Sequence, residues 1–137
     1  MMEKTLHFQI VTAGGSVCDT AAEFVLVPTS GGEIGILPGH TAIIGAVTEG
    51  VVKYKAEESE HYVAVSGGVL SVADNEIIIL ARSAERAESI DIARAQASEK
   101  RARQRLEAKS EKLDAVRAEL SLHRALAREK AYSMIHK

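Results

Sequence analysis

The residues with the richest chemistry are charged and sit late in the chain. In ERAESIDIARA, residues 85–95, Asp91 and Arg94 are three apart, so on a helix they are neighbours on one face. Arg94, Arg101 and Arg105 recur over several turns, and Arg117, Arg124 and Arg128 follow at spacings of seven and four. Two readings fit. One is a solvated surface whose i,i+3 and i,i+4 pairs contribute a few tenths of a kcal/mol each. The other is a polyanion held between two helices, with guanidinium forks donating to phosphate oxygens. Asp91 does not favour phosphate directly; it would orient an arginine or accept hydrogen bonds from a base or sugar. Composition and spacing alone favour solvation.

Other chemistries have little support. The histidines, at 7, 40, 61, 123 and 136, show no metal-ligand spacing, and Cys18 is the single cysteine. It reads as a small residue in or near a strand. No serine sits in a G-x-S-x-G context. GGEIGILPGHTAIIGAVTEG, residues 31–50, is glycine-rich but lacks the Lys-Ser/Thr pair of a phosphate loop. Its Ile34, Ile36 and Leu37 are too apolar for a merely solvated loop. It is either an exposed contact patch for a protein partner or a buried crossing loop. His40, after Pro38-Gly39, reads as a turn hydrogen-bonder rather than a general base. No catalytic residue and no metal ligand is expected.

The elements that must position these residues divide the chain in two. Residues 4–11 alternate, with Leu6, Phe8 and Ile10 on one face, and in residues 50–56 Val52, Tyr54 and Ala56 share a face. Strands are also expected within SVCDTAAEFVLVP, at 61–68, 69–73 and 76–81, with the Gly67-Gly68 pair allowing a bulge or turn. After Ala81 the strand period disappears. Ser83 to Lys109 is rich in helix formers without Gly or Pro. A first turn near Ser83 is expected to break around Ser89, which caps the main helix and leaves Asp91 in the first turn. Ile90, Ala93, Ala97, Arg101 and Ala108 form its expected inner side. KSEK, 109–112, is the expected bend. A second helix runs from about Lys112 to Ala131, with Leu113, Val116, Leu120, Leu122 and Leu126 on its apolar side. The expected fold class is α+β: an N-terminal antiparallel β-sandwich (1–82) followed by a C-terminal antiparallel two-helix hairpin (83–137). The alanine-lined seam implies a weakly held hairpin, with docked and extended forms in competition.

The 137 residues are 46% apolar but only 4% aromatic, so the core is aliphatic. Residues 1–80 carry three basic and ten acidic side chains; residues 81–137 carry fourteen basic and nine acidic. This division suggests two surfaces with different partners. Interspersed acids and a lack of aromatics argue against nucleic acid. No run of 18 apolar residues offers a membrane span. The first twenty residues have neither the apolar core of a secretory signal nor the makeup of a transit peptide.

GGEIGILPGH (31–40), GVVKYKA (50–56), YVAVSGGVLSV (62–72) and LDAVRAEL (113–120) together resemble the bacterial epsilon subunit of the F-type ATP synthase. The resemblance covers nearly the whole chain and implies a β-sandwich followed by a helical hairpin. It implies a non-catalytic rotor-stalk subunit that couples hydrogen ion transport to ATP synthesis on the cytoplasmic face of the cell membrane. The sandwich would attach to the gamma subunit and the c-subunit ring. The expected contact segment is Glu33, Ile34, Gly35, Ile36, Leu37, Pro38, Gly39 and His40. The basic helices would extend into the alpha and beta subunits and inhibit ATP hydrolysis. Ile90-Asp91-Ile92-Ala93-Arg94-Ala95 also matches the I/L-D-x-x-R-A motif of bacillus-like members that bind ATP on the folded hairpin. That match implies an ATP site of Glu85, Ile90, Asp91, Arg94, Ala95, Arg101, Arg124 and Arg128, with ATP as regulatory ligand holding the hairpin folded. The alternative is a purely structural rotor subunit whose hairpin binds no ATP.

Overall fold

A computed structural model describes residues 4–108 and 112–136. Eight strands come first: β1 Leu6–Thr12, β2 Gly15–Ala22, β3 Phe24–Thr29, β4 Gly32–Ile36, β5 Ile43–Val47, β6 Gly50–Ala56, β7 Ser59–Ala73 and β8 Glu76–Arg86. A single 3₁₀ turn, Ala87–Ser89, leads to helices α1 Ile92–Glu107 and α2 Lys112–Ile135. The strands are hydrogen-bonded in the order β2-β1-β8-β7-β5-β3-β4, and β6 joins β3 to β7. β1 runs parallel to β8, and the other pairings among the described residues are antiparallel. The fold is therefore a β-sandwich followed by two helices.

The alternation expected in β1 and β6 places Leu6, Phe8 and Ile10 with Val52, Tyr54 and Ala56 in one core. Ile36, Leu70, Ile77 and Ile79 complete its centre, all fully buried. The aromatic content is small but central: the Phe8 and Tyr54 rings meet at 5.1 Å, and Tyr54 stacks on His61. Cys18 is buried beside them, and burial pushes its thiol pKa up.

Several expectations are corrected. Residues 61–73 form one fifteen-residue strand with Ser59 and Glu60, not two strands. Gly67 and Gly68 make neither the expected bulge nor a turn: pairing with β8 passes from Ser66–Ser83 to Gly68–Ala81 in unchanged register, leaving Gly67 unpaired, and the register shift lies instead between Ile10 and Val11 of β1. Gly67 has φ 58° and Gly68 φ 149°, and a Cβ on Gly68 would lie 2.1 Å from the Leu80 carbonyl oxygen. Residues 31–50 are neither a patch nor a crossing loop throughout. They contain β4, β5 and the turn between them. Ile36 enters the core while Leu37 stays exposed. The expected helical turn at Ser83 is strand, because β8 continues to Arg86.

The hairpin faces also differ from expectation. Ala95 and Ala102 are the buried residues of α1, whereas Ala93, Ala97 and Ala108 are exposed; Arg101, also exposed, does lie on the side facing α2. On α2, Ala118 and Ala125 are buried, while Val116 is 48% and Leu126 39% exposed. Each helix thus contributes two alanines seven residues apart, a spacing that keeps one seam facing the partner helix. Small side chains let the helix axes approach, so the large residues lie to the sides. The bend expected at 109–112 falls largely on residues outside those described, as does the Leu113 side chain. α2 runs on to Ile135, beyond the expected Ala131.

α1 packs on α2, and α2 packs on β6, β7 and the 3₁₀ turn. A second apolar cluster holds this contact: Val51, Tyr62 and Ala64 from the sandwich, Ala87 and Ile90 from the connection, and Ala127 and Ala131 from α2.

Candidate functional site

Asp91 is the N-cap of α1. Its Oδ1 accepts the Arg94 backbone N–H at 3.1 Å, satisfying one of the donors orphaned at the helix start. Ser89 instead ends the 3₁₀ turn. Ile90 and Ala95 are buried, Ile90 in the cluster under α2. The Arg94 side chain is exposed. The I-D-x-x-R-A residues therefore start the helix and seat it.

The other expected site residues meet at two adjoining cavities. The first, about 150 Å³, lies where α2 meets the sandwich and is lined by Ser66 of β7, Ser83 and Glu85 of β8, and Arg124 and Arg128 of α2, with Ala64, Val65 and Ala84. The second, about 270 Å³, lies between the helices. Ser98, Arg101 and Arg105 of α1 face Ser121, Arg124 and Arg128 of α2 across it, over Ala102 and Ala125. Arg124 and Arg128 belong to both, so the two form one bent groove reaching from sheet to hairpin.

The helical repeat accounts for this convergence. Arg101 and Arg105 are four apart, as are Arg124 and Arg128, so each helix stacks two guanidiniums on the face turned to its partner. The seam alanines beneath them leave the cleft open. Arg101 donates to Ser98 Oγ at 3.1 Å and Arg124 to Ser121 Oγ at 3.0 Å, the same i,i+3 pairing on both helices. These neutral acceptors orient the forks without discharging them. Arg128 approaches Glu85 at 4.0 Å, linking α2 to β8. The Ser66 and Ser83 hydroxyls are 2.6 Å apart at the sandwich end. Neither Ile90, Asp91, Arg94 nor Ala95 lines either cavity. The sequence had a usable signal for Ser121: Ser-x-x-Arg occurs once on each helix. Ser66 and Ser83 carried none, since only strand register brings them together.

Beside the groove, Glu99 and Glu129 face each other across the hairpin. Arg103 Nε donates to Glu99 Oε2 at 2.6 Å, and this bond, aided by the contact with Glu129, holds the Glu99 pKa below its usual value. Burial, reinforced by Glu99, raises that of Glu129. Glu129 Oε2 is buried without a hydrogen-bond partner. Glu99 does not turn into the arginine cavity.

The segment 33–40 spreads over several environments. Glu33, Gly35, Leu37 and Gly39 are exposed, Ile34, Pro38 and His40 are half-buried, and Ile36 is core. His40 makes the expected turn bonds: its N–H donates to the Leu37 carbonyl at 3.1 Å and its Nδ1 lies 2.7 Å from the Thr41 carbonyl. The Gly39 N–H donates to Asn75 Oδ1 at 2.7 Å, tying this turn to the β7–β8 turn. A wider apolar face lies on β5, β7 and β8. Ile44 is 82% exposed, and Ala46, Val69 and Leu80 form an exposed cross-strand row. No group of His, Cys, Asp and Glu suited to a metal occurs among the described residues. No helix among them is long and apolar enough to cross a membrane.

Comparison with known proteins agrees with this architecture. Residues 5–87 match the family described as "ATP synthase, Delta/Epsilon chain, beta-sandwich domain". Residues 88–133 match "ATP synthase, Delta/Epsilon chain, long alpha-helix domain". The ATP synthase epsilon chain of Nitratidesulfovibrio vulgaris is 47% identical over 127 residues, covering 93% of this chain and 95% of its own. That of Bacillus velezensis is 45% identical over 125 residues, covering 91% and 95%. In three dimensions the chain superposes on one from the Euglena gracilis mitochondrial ATP synthase with TM-score 0.84 at 19% identity, over 96% of this chain and 83% of that one. With both domain families matched end to end and relatives of this identity aligned over nearly their full length, the chain belongs to the ATP synthase delta/epsilon family as a bacterial F-type epsilon subunit.

Proposed function

We propose that this epsilon subunit is a rotor element of the central stalk whose hairpin is a nucleotide-sensitive brake. In this reading the folded hairpin permits ATP hydrolysis. The extended helices reach the alpha and beta subunits and inhibit it. ATP in the groove favours the folded form. The subunit lies peripherally on the cytoplasmic face of the membrane and takes part in hydrogen ion transport through its complex, without a catalytic residue of its own.

The observation that carries the reading is the shared lining of the two cavities. A ligand there touches β7, β8, α1 and α2 together. Those elements are adjacent only when the hairpin is folded and docked. A ligand that binds this state alone stabilises it by RT ln(1 + [L]/Kd), about 2.7 kcal/mol at a hundred times Kd. The seam it supports is alanine-lined and contributes little apolar burial per turn, so a stabilisation of this size is enough to shift the population.

The exposed row Ala46, Val69 and Leu80, with Ile44 beside it, suits burial against a protein. We assign it, with Leu37 and the turn at 37–40, to attachment to the gamma subunit and the c-ring. The positive balance of residues 81–137 suits steering of an extended arm toward an acidic surface.

Titration of the full chain with ATP, and of Arg101→Ala, tests the nucleotide branch. Saturable binding that Arg101→Ala weakens at least tenfold supports it; no heat at millimolar ATP sinks it. A second reading has its own support, because capping accounts for Asp91, and burial for Ile90 and Ala95, without a ligand. In that reading the subunit is structural and its hairpin binds no ATP, and the same titration separates the two.

A further inference from the structure

We infer that Arg82 is the charged anchor of the exposed apolar face, and that the protein surface covering this face presents a carboxylate to it. The inference rests on that face being an attachment surface, as proposed above, and names what the partner must bring.

The outward row of β8 reads Glu76, Ile78, Leu80, Arg82: an acid at one end, a base at the other, apolar side chains between. Ser71 and Val69 of β7 lie beside Ile78 and Leu80, and Ile44 and Ala46 of β5 lie beside those. The acidic end is satisfied within the chain. His7 stands 2.8 Å from Asp19 Oδ1 and 3.6 Å from Glu76 Oε1, and Gln9 donates to Asp19 Oδ2 at 3.1 Å. The basic end is not. Lys53 and Lys55 pair with Glu60 and Glu23, and Arg86 donates to the Val17 carbonyl. Arg82 has no hydrogen bond or ion pair among the described residues.

Burial turns that free charge into a requirement. Leu80 and Arg82 are two residues apart, about 7 Å along the strand. A stable interface covers about 800 Å² on each side, so a protein seated on Val69 and Leu80 covers Arg82 as well. A guanidinium does not shed its proton, and taking it out of water without an acceptor opposes binding. A carboxylate removes that penalty, because it accepts two parallel hydrogen bonds and balances the charge.

The side chain is also positioned in advance. The pairing of β7 with β8 lapses at one place, where Gly67 stands opposite Arg82. Arg82 lies against this glycine: a Cβ on Gly67 would stand 3.3 Å from its Nε and 3.4 Å from its Cζ. A guanidinium laid along the surface has less rotamer freedom to lose on binding than one free in solvent. Anchoring arginines at interfaces have this character.

The test is titration of the fluorescently labelled full chain onto its own ATP synthase complex stripped of this subunit, at low and at high salt. Arg82→Ala should weaken binding by about 10- to 100-fold at low salt. Arg82→Glu should weaken it further, and Arg82→Lys should keep part of the affinity. High salt should narrow the gap between the native chain and Arg82→Ala. Arg82→Gln, which still covers Gly67 without the charge, should bind as weakly as Arg82→Ala. A lysine in place of one acidic residue of the partner should restore Arg82→Glu and so identify the carboxylate. The free variants should melt with the native chain, since Arg82 holds nothing in it. Leu80→Asp tests the face itself. Loss of binding in Leu80→Asp, with Arg82→Ala and Arg82→Gln binding like the native chain, overturns the inference and leaves attachment through this face standing. Native affinity in Leu80→Asp as well overturns both. Weakening by Arg82→Ala but not by Arg82→Gln ascribes the residue to packing and overturns the carboxylate.

Discussion

Asp91 and Glu129 show how single side chains set the hairpin's stability. Asp91 caps α1, so Asp91→Ala should destabilise the hairpin by about 1 kcal/mol, read as a lower melting temperature of the helical signal. Asp91→Asn keeps an acceptor at the cap and should be nearly neutral. Equal melting of all three chains would mean that the cap contributes nothing. Glu129 makes the hairpin sensitive to protons. Its pKa is raised above the ordinary 4.5 by burial and by Glu99, so the folded form prefers it protonated. That contribution is complete below 4.5 and is lost as pH rises through the folded-state value. Glu99 is shifted down, so its contribution is present above 4.5 and is lost as pH falls through its lowered value. The pair is best served with one shared proton. Raising the pH from 4.5 through the raised Glu129 value should therefore loosen the hairpin of the native chain. Glu129→Gln should flatten that dependence and raise the melting temperature at the alkaline end. A pH profile unchanged by the substitution would remove Glu129 as its source.

The elements differ in how clearly their sequences announce them. β1 and β6 were legible because a half-buried strand has a period of two, and Leu6, Phe8, Ile10, Val52, Tyr54 and Ala56 obey it. The inner face of α1 was not. Alanines at 93, 95, 97, 102 and 108 allow several stripes, and only α2 decides among them. On α2 Val116 and Leu126 drew attention to an exposed side, while Leu120 and Leu122 are half-buried and the seam itself is alanine. Ala102→Leu should accordingly force the helices apart, at a cost of about 1–3 kcal/mol. Ala93→Leu, on the exposed face, should cost little. Thermal melts of the two variants compare them directly, and similar melting would contradict the seam. The arginine groove was half legible. Spacing placed Arg101 with Arg105 and Arg124 with Arg128, but only the fold shows that the two pairs confront each other and that Asp91 does not join them.

At the scale of the molecule the sandwich and the hairpin are held by different means. The sandwich has a continuous aliphatic core and the hairpin a line of alanines, with α1 reaching the sheet chiefly through α2. Hydrogen exchange should therefore find the slowest amides in β1, β7 and β8 and distinctly faster exchange throughout α1. Protection of α1 equal to that of β7 would contradict a weakly held hairpin.

β7 gives this arrangement a mechanical consequence. One end of this fifteen-residue strand, at Tyr62 and Ala64, carries the cluster that seats α2; the other, at Val69, carries the exposed apolar row. Between them it is bonded to β5, β6 and β8. A pull on the hairpin is borne first by alanine contacts, which give way in succession. β7, bonded to three neighbouring strands, moves only if its ladder bonds fail together. The molecule is thus a soft arm on a stiff block, with the exposed apolar row at Val69 carried by the block.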